Sequence, residues 1–349
     1  MLIVMENAEE AEKEKVMSAL PGESEVIEYS ASKSVIVAAE EKIRDDYSQD
    51  LSAKLSSYPA VEKIIPVSEP YQLTSRKLNP GGTVIDVDGV KIGSEEPTIM
   101  AGPCSVESRE QLLETARAVK EAGAEILRGG AYKPRTSPYS FQGLGEEGLE
   151  LLSLARQETG LKVITELMDI RDRDQVAEHA DIIQIGSRNM KNYSLLETLG
   201  ELDMPVMLKR GMASSVRDWL LAAEYIMAHG NHRVMLCERG IKTFTEETRY
   251  TMDLSSIPLV KEKSHLPVIA DPSHGTGRWE LVLPMARAAV ACGANGLLVE
   301  VHPRPDQALS DGPQSLKPEK FRRLLQEINK LRQLEDGDEL LMEAAGVES

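Results

Sequence analysis

Three cations stand in one stiff turn. Arg128, Lys133 and Arg135 lie in the run Arg128-Gly129-Gly130-Ala131-Tyr132-Lys133-Pro134-Arg135-Thr136-Ser137-Pro138. A short apolar piece, 124–127, precedes the run and reads as a buried strand. Pro134 and Pro138 fix φ and restrict the residues before them, so the turn is stiff. A stiff cationic turn suits a dianion, typically a phosphate ester. The alternative is a solvated basic loop, since charge runs are usually surface. The overall balance weighs against that alternative. With 40 Lys+Arg against 57 Asp+Glu the formal net charge is −17, and cations gathered in an acidic chain point to a ligand. The same balance argues against nucleic acid and anionic membranes as partners. Aromatic residues make up only 4%, too few for base-stacking platforms.

Other ionisable groups also stand where apolar runs end. They are Cys104, Glu166, Arg188, Lys209 with Arg210, Glu238 with Arg239, Asp271 with His274, and Glu300 with His302. Cys104, His274, Glu300 and Asp311 make a plausible metal set if the first, seventh and eighth strands close on one another. A sulfur, a nitrogen and two oxygens suit one divalent ion of intermediate softness: Mn²⁺, Fe²⁺, Co²⁺ or Zn²⁺. A buried small hydrophobe is the other reading of Cys104. Cys237 and Cys292 read as core residues. His179, His229, His232 and His265 read as surface, and His302 falls on the same strand face as Glu300. Arg128, Lys133, Arg135, Arg188, Lys209 and Arg239 could neutralise two phosphates and a carboxylate. Gly186-Ser187 adds backbone N–H donors beside Arg188.

These groups need a frame that brings distant ends together. From residue 97 onward, strand-like and helix-like segments alternate. Strands are expected at 98–102, 124–128, 162–166, 181–186, 205–209, 234–238, 267–271 and 296–301, with helices at 107–122, 147–159, 215–229, 279–292 and 317–331. That is the pattern of an α/β (β/α)₈ TIM barrel, whose catalytic groups sit at the C-terminal strand ends. An Asp88-Gly89 turn inside 83–92 predicts a hairpin that could plug one mouth. Residues 1–67 read βαββαβ, a small α+β ferredoxin-like domain. Residues 68–82 read as a linker, 83–334 as the catalytic barrel and 335–349 as an acidic, frayed tail. Three cysteines form no disulfide framework and imply a reducing compartment. With no signal peptide and no membrane span, a soluble cytoplasmic protein is expected.

Six motifs carry a resemblance. They are AGPCSVES at 101–108, RGGAYKPRTSPYSFQG at 128–143, IGSRNMKN at 185–192, LKRG at 208–211, DPSHGTG at 271–277 and EVHPRPDQALSDGPQSL at 300–316. Together they closely resemble the 3-deoxy-D-arabino-heptulosonate 7-phosphate (DAHP) synthases, type I-beta. The resemblance runs from about residue 97 to 331. It implies a metal-dependent condensation of phosphoenolpyruvate with erythrose 4-phosphate, the first step of the shikimate pathway. It also implies Cys104, His274, Glu300 and Asp311 as metal ligands. Arg188, Arg239 and the Ser187 backbone match the phosphate site of phosphoenolpyruvate; Arg128, Lys133 and Lys209 match its carboxylate site. Lys133, Pro134, Arg135, Thr136 and Ser137 match the erythrose 4-phosphate site. Glu166 matches a carboxylate that orients water, so Lys133, Glu166, His274 and Cys104 are the expected catalytic set. The N-terminal domain resembles a feedback module for tyrosine or phenylalanine, and a homo-oligomer, a tetramer, is implied. Two rivals remain: 3-deoxy-D-manno-octulosonate 8-phosphate synthase, and a non-catalytic sugar-phosphate sensor.

Overall fold

The computed structural model describes residues 2–20, 24–30, 33–38, 48–65, 69–134 and 137–344. Within 24–38, 48–49 and 334–344 only the backbone is described. Arg135, Thr136 and 345–349 lie outside the described residues, so the sequence reading of those two side chains has no structural counterpart.

The N-terminal elements are β1 (Leu2–Glu6), α1 (Glu10–Ser18), β2 (Ser24–Ser30), β3 (Lys33–Ala38), α2 (Ser48–Leu55) and β4 (Val61–Ile65). Their sheet order is β2-β3-β1-β4, with every pair antiparallel, in keeping with the βαββαβ reading. Alternation sends Ile3 and Met5 to one face of β1, where they cluster with Val16, Leu20 and Leu55. Leu2 and Val4 go to the other face, in a cluster that also holds Ile65, Tyr71, Leu73 and Leu78.

Residues 71–83, all but the last within the stretch read as a polar linker, are fastened to the rest of the molecule. The Glu224 carboxylate accepts from the backbone N–H of Gln72 (2.7 Å), Leu73 (2.6 Å) and Thr74 (2.9 Å), and from Thr74 Oγ1 (3.0 Å). Three successive amides converging on one carboxylate form an anion nest supplied from within the chain. His265 pins the same segment, with Nε2 2.7 Å from the Leu73 carbonyl and Nδ1 2.6 Å from Thr83 Oγ1. His265 is therefore buried, contrary to its surface reading. Its neighbours come from a segment almost two hundred residues away, which sequence pattern does not reveal.

The hairpin follows as β5 (Ile85–Val87) and β6 (Val90–Ile92). Asp88 and Gly89 have φ of 45° and 94°, the pair of positive values that a type I′ turn requires. Next come β7 (Thr98–Gly102), α3 (Arg109–Ala122), β8 (Ile126–Arg128), α4 (Glu146–Thr159), β9 (Lys162–Glu166), α5 (Arg173–His179), β10 (Ile182–Ile185) and α6 (Tyr193–Gly200). Then follow β11 (Val206–Lys209), α7 (Val216–Ala228), β12 (Val234–Glu238), α8 (Ser256–Lys263), β13 (Val268–Ala270), α9 (Pro272–Thr276), α10 (Trp279–Ala291), β14 (Gly296–Glu300) and α11 (Pro318–Ala344). Strands β7 to β14 form a closed barrel, parallel throughout. The expected TIM barrel is thus present. Helix α11 continues past residue 331, where the apolar pattern ends; its backbone is helical to Ala344.

The barrel interior explains where the chemistry sits. Met100, Ile126, Ile164, Ile182, Met207 and Met235 share one buried cluster with Cys237, Ile269 and Leu298. Ile85, Val87 and Ile92 of the hairpin join that cluster, so the hairpin seals the N-terminal end. Side chains two residues apart on a strand share a face. Two residues beyond the apolar layer stand Arg128, Glu166, Gln184, Lys209, Asp271 and Glu300. The interior thus switches from oil to charge in one layer. Outside the strands, Trp219 is fully buried and donates from Nε1 to the Leu208 carbonyl at 3.0 Å. Among the described residues no helix is long and apolar enough to cross a membrane.

Candidate active site at the barrel mouth

Cys104, His274, Glu300 and Asp311 converge. One ligand atom from each lies within 4.8 Å of all the others. Cys104 Sγ is 3.3 Å from Asp311 Oδ2. His274 Nε2 is 3.3 Å from Glu300 Oε1 and 3.8 Å from Asp311 Oδ2. Atoms bound about 2.0–2.3 Å from one ion stand roughly 3–4 Å from each other, so the donor set fits a single divalent metal. Each arm has a local cause. Asp271 caps α9, accepting from His274 N at 2.9 Å, with Pro272 set at the first helical position. Its Oδ2 also lies 2.7 Å from His274 Nδ1, off the axis of a good hydrogen bond. Ser273 Oγ accepts from Glu300 N at 2.9 Å. Asp311 adopts φ 52°, a left-handed backbone that turns its carboxylate inward.

Electrostatics follow from burial and neighbours. Burial pushes the Cys104 thiol up to about 11; Glu300 adds to the rise, and Lys133 and Arg128 oppose it. Burial works against the charge on Asp271, yet His274 and Lys209 hold it well below the usual carboxylate range. Asp311 is held low against burial by His274 and Arg249, and Glu300 by His274 and Arg128. Burial lowers the His274 imidazole, with Asp271 and Glu300 pulling the other way. A neutral imidazole is the form that ligates metal.

Beside the cluster opens a cavity of about 310 Å³. Arg128, Lys133, Arg188, Lys209 and Arg239 line it, together with Glu166, Pro134, Ser137, Gly186 and Ser187. These are sequence-read residues, and the fold brings them together. Their partners differ. Arg128 is paired with Glu300, and Lys209 Nζ lies 2.6 Å from Asp271 Oδ2. Lys133 Nζ reaches the Cys104 carbonyl at 2.9 Å and Cys104 Sγ at 3.1 Å. Arg239 is buried, yet its Nε and Nη1 have no hydrogen-bond partner. An unpaired buried donor costs about 1–3 kcal/mol, so this guanidinium is shaped to receive an acceptor from outside. Glu166 is held by Gln184 Nε2 at 3.2 Å. Gly186 leaves it room, since a Cβ there would collide with Glu166 Oε1. Gly130 leaves similar room for Lys133, whose Cδ would stand 3.0 Å from an added Cβ.

Some expected groups do not face the cavity. Arg210 donates to Glu238 at 2.9 Å and to Asp253 at 2.8 Å, and that trio braces the outer side of β12. His302 pairs with Glu107 at 3.3 Å. Glu107 also accepts from Leu309 N at 2.9 Å, so this contact anchors the loop that carries Asp311. Sequence reasoning missed Arg249, Tyr250 and Gln314. Arg249 and Tyr250 line the cavity. The Arg239 guanidinium stacks over the Tyr250 ring at 4.3 Å. Both missed lining residues lie in the long connection between β12 and α8, where no periodicity marks them.

Comparison with known proteins gives the family. The family model described as "DAHP synthetase I family" matches residues 72–335. A Thermotoga maritima protein named phospho-2-dehydro-3-deoxyheptonate aldolase is 54% identical over 278 residues, 80% of this chain and 82% of its own. A 2-dehydro-3-deoxyphosphooctonate aldolase of Nitratidesulfovibrio vulgaris is 36% identical over 255 residues, 68% of this chain and 92% of its own. The crystal structure of phospho-2-dehydro-3-deoxyheptonate aldolase (DAHP synthase) from Thermotoga maritima superposes with a TM-score of 0.75 at 45% identity, covering 99% of this chain and 98% of that one. With a closed barrel, a convergent ligand set and a cation-lined mouth, the chain belongs to the DAHP synthetase I family.

Proposed function

We propose that the barrel mouth joins phosphoenolpyruvate, erythrose 4-phosphate and water into 3-deoxy-D-arabino-heptulosonate 7-phosphate and phosphate, with one divalent metal ion bound. The enzyme is a DAHP synthase; the substrate contacts, the metal and the regulation are our reading of the cavity. One observation carries that reading: four metal-type ligands converge beside a buried arginine with unpaired donors.

Cys104, His274, Glu300 and Asp311 would hold the ion. A divalent ion there supplies Lewis acidity to the aldehyde oxygen, several kcal/mol of charge stabilisation. The mixed donor set favours Mn²⁺, Fe²⁺, Co²⁺ or Zn²⁺. Arg239, Arg188 and the Ser187 N–H receive the phosphate of phosphoenolpyruvate, while Lys133, Arg128 and Lys209 face its carboxylate. Lys133, Pro134 and Ser137 flank the sugar phosphate, with Arg135 and Thr136 joining them by resemblance. Holding two mutually repelling anions in register supplies much of the acceleration. C3 of phosphoenolpyruvate then bonds to the aldehyde carbon, and a proton reaches the aldehyde oxygen. Water, oriented by Glu166, adds its oxygen at C2. The C2–O bond to phosphate breaks as C2 becomes a carbonyl, and phosphate leaves with the remaining proton.

Removing metal with a chelator should abolish turnover, and adding back each ion should restore it to differing extents. Full turnover in chelator would overturn the metal reading. Phosphate release with erythrose 4-phosphate against arabinose 5-phosphate separates this activity from that of the 2-dehydro-3-deoxyphosphooctonate aldolases. For residues 1–67 we infer a feedback and oligomerisation domain; tyrosine and phenylalanine titrations of the whole chain test it. An unchanged rate with both would leave oligomerisation alone, and sedimentation would check the tetramer.

A further inference from the structure

Each carboxylate of the ligand cluster shows only one oxygen to the cluster centre. Glu300 offers Oε1 toward His274, while its Oε2 accepts from Gln314 Nε2 at 2.6 Å. Asp311 offers Oδ2 toward Cys104 and His274, while its Oδ1 accepts from Arg249 Nη1 at 3.3 Å. The same Arg249 nitrogen donates to Gln314 Oε1 at 3.1 Å. Arg249, Gln314, Asp311 and Glu300 thus form one continuous chain of hydrogen bonds.

The orientation of the amide in that chain is fixed by its neighbours. A carboxylate accepts only and a guanidinium donates only, so Gln314 must turn its NH₂ to Glu300 and its oxygen to Arg249. Gln314 is 2% exposed, so no water can replace either partner cheaply. Arg249, more exposed, is anchored at its base. Its backbone N–H donates to the Thr276 carbonyl at 2.9 Å, and Gly277, at φ 73°, leaves the space that the Arg249 side chain fills. The loop of Asp311 is equally constrained, because a Cβ on Gly312 would collide with the Pro305 carbonyl. Nothing in this chain touches the cavity except Arg249 and Asp311.

We propose that Gln314 and Arg249 are positioning residues that select which oxygen of Glu300 and of Asp311 faces the metal and hold both carboxylates in that pose. The proposal rests on the metal reading above. Without the relay, Asp311 is free to rotate or turn away, and Glu300, held by Arg128 at Oε1 alone, is free to swing its second oxygen. Partners behind metal ligands are commonly worth 10–100-fold in metal affinity.

The test is direct binding, with no substrate present. Mn²⁺ affinity is measured by equilibrium dialysis, and the Co²⁺ form is followed by its visible absorption, which reports geometry and thiolate ligation. Gln314→Ala should weaken Mn²⁺ binding about 10–100-fold and shift the Co²⁺ bands. It should leave inorganic phosphate affinity of the metal-free protein unchanged, since Gln314 does not line the cavity. Arg249→Met should do the same to metal binding through Asp311 and Gln314, with a smaller band shift. Its side chain is 37% exposed, so if Gln314→Ala does not fold, this variant alone decides. Arg249→Lys, which keeps one donor, should recover part of the affinity. Wild-type-like Mn²⁺ affinity and Co²⁺ spectrum in the folded variants would overturn the relay. Failure of the wild-type chain to bind either ion would instead overturn the metal reading itself.

Discussion

The two ends of the barrel solve opposite problems with the same residue types. At the foot, Glu224 is half-buried and His265 buried, and each finds its partners within the chain. At the mouth, Arg239 is buried and leaves two donors unanswered, while Arg188 stands exposed. Burying a polar group without a partner is costly, so the foot is arranged for stability and the mouth holds its cost in reserve for ligands. Charge at the foot closes the structure; charge at the mouth waits to be completed. A barrel separates the two tasks because its N-terminal and C-terminal rims are independent surfaces.

That contrast can be broken from either end. The largest effect should come from Cys104→Ala at the mouth: turnover should fall roughly 10³-fold or more, as the loss of several kcal/mol of metal stabilisation requires. The melting temperature of the metal-free chain should barely move. Normal activity in this variant would defeat the cluster's assignment. Next, Arg239→Ala should lower kcat/KM for phosphoenolpyruvate about 10²–10³-fold, again with little change in stability. If it instead destabilised the fold without affecting phosphoenolpyruvate, the contrast between the rims would fail there. At the foot the pattern should invert. Glu224→Ala strands three backbone amides and should cost about 3 kcal/mol of unfolding free energy, read from the urea midpoint, with kcat per folded molecule unchanged.

The smallest effect is a pH slope. Burial keeps the His265 imidazole neutral and lowers it to about 4, with the Leu73 carbonyl pulling the other way. An unfolded imidazole takes its proton near 6.5. Between those values the unfolded chain binds more protons, so this contribution is whole above pH 6.5. It shrinks as pH falls, by up to about 1.4 kcal/mol per pH unit. His265→Gln should remove that slope. Unfolding curves for the two proteins that stay parallel between pH 7 and pH 5 would count against a neutral, buried His265.

Much of this was legible in the sequence, for a physical reason. Six of the eight barrel strands carry an apolar residue and then, two places on, a polar one, as in Ile126 and Arg128 or Ile164 and Glu166. Period-two alternation is local, so it survives in the letters, and closure of the eight strands does the rest. Asp88-Gly89 was equally plain, because few other pairs tolerate two positive φ values. What escaped notice is set by contacts between distant segments. Residues 71–83 show no period, yet Glu224 and His265 fix them. Arg249 and Tyr250 sit in an irregular connection and gain meaning only beside Arg239 and Asp311. Gln314 falls within the motif at 300–316, but nothing in its type says that it holds Glu300. Arg210 and Glu238 stand one place off the inward Lys209 and Cys237, so alternation turns them outward, where Asp253 completes the trio.

The hairpin at the foot has a bearing on traffic. The apolar layer and the hairpin beneath it close that end, so the cavity opens at the mouth and its occupants use one doorway. If one reactant seats deeper than the other, it should enter first and leave last, and measuring which product competes with which reactant would expose that queue; competition by every product against every reactant would count against it.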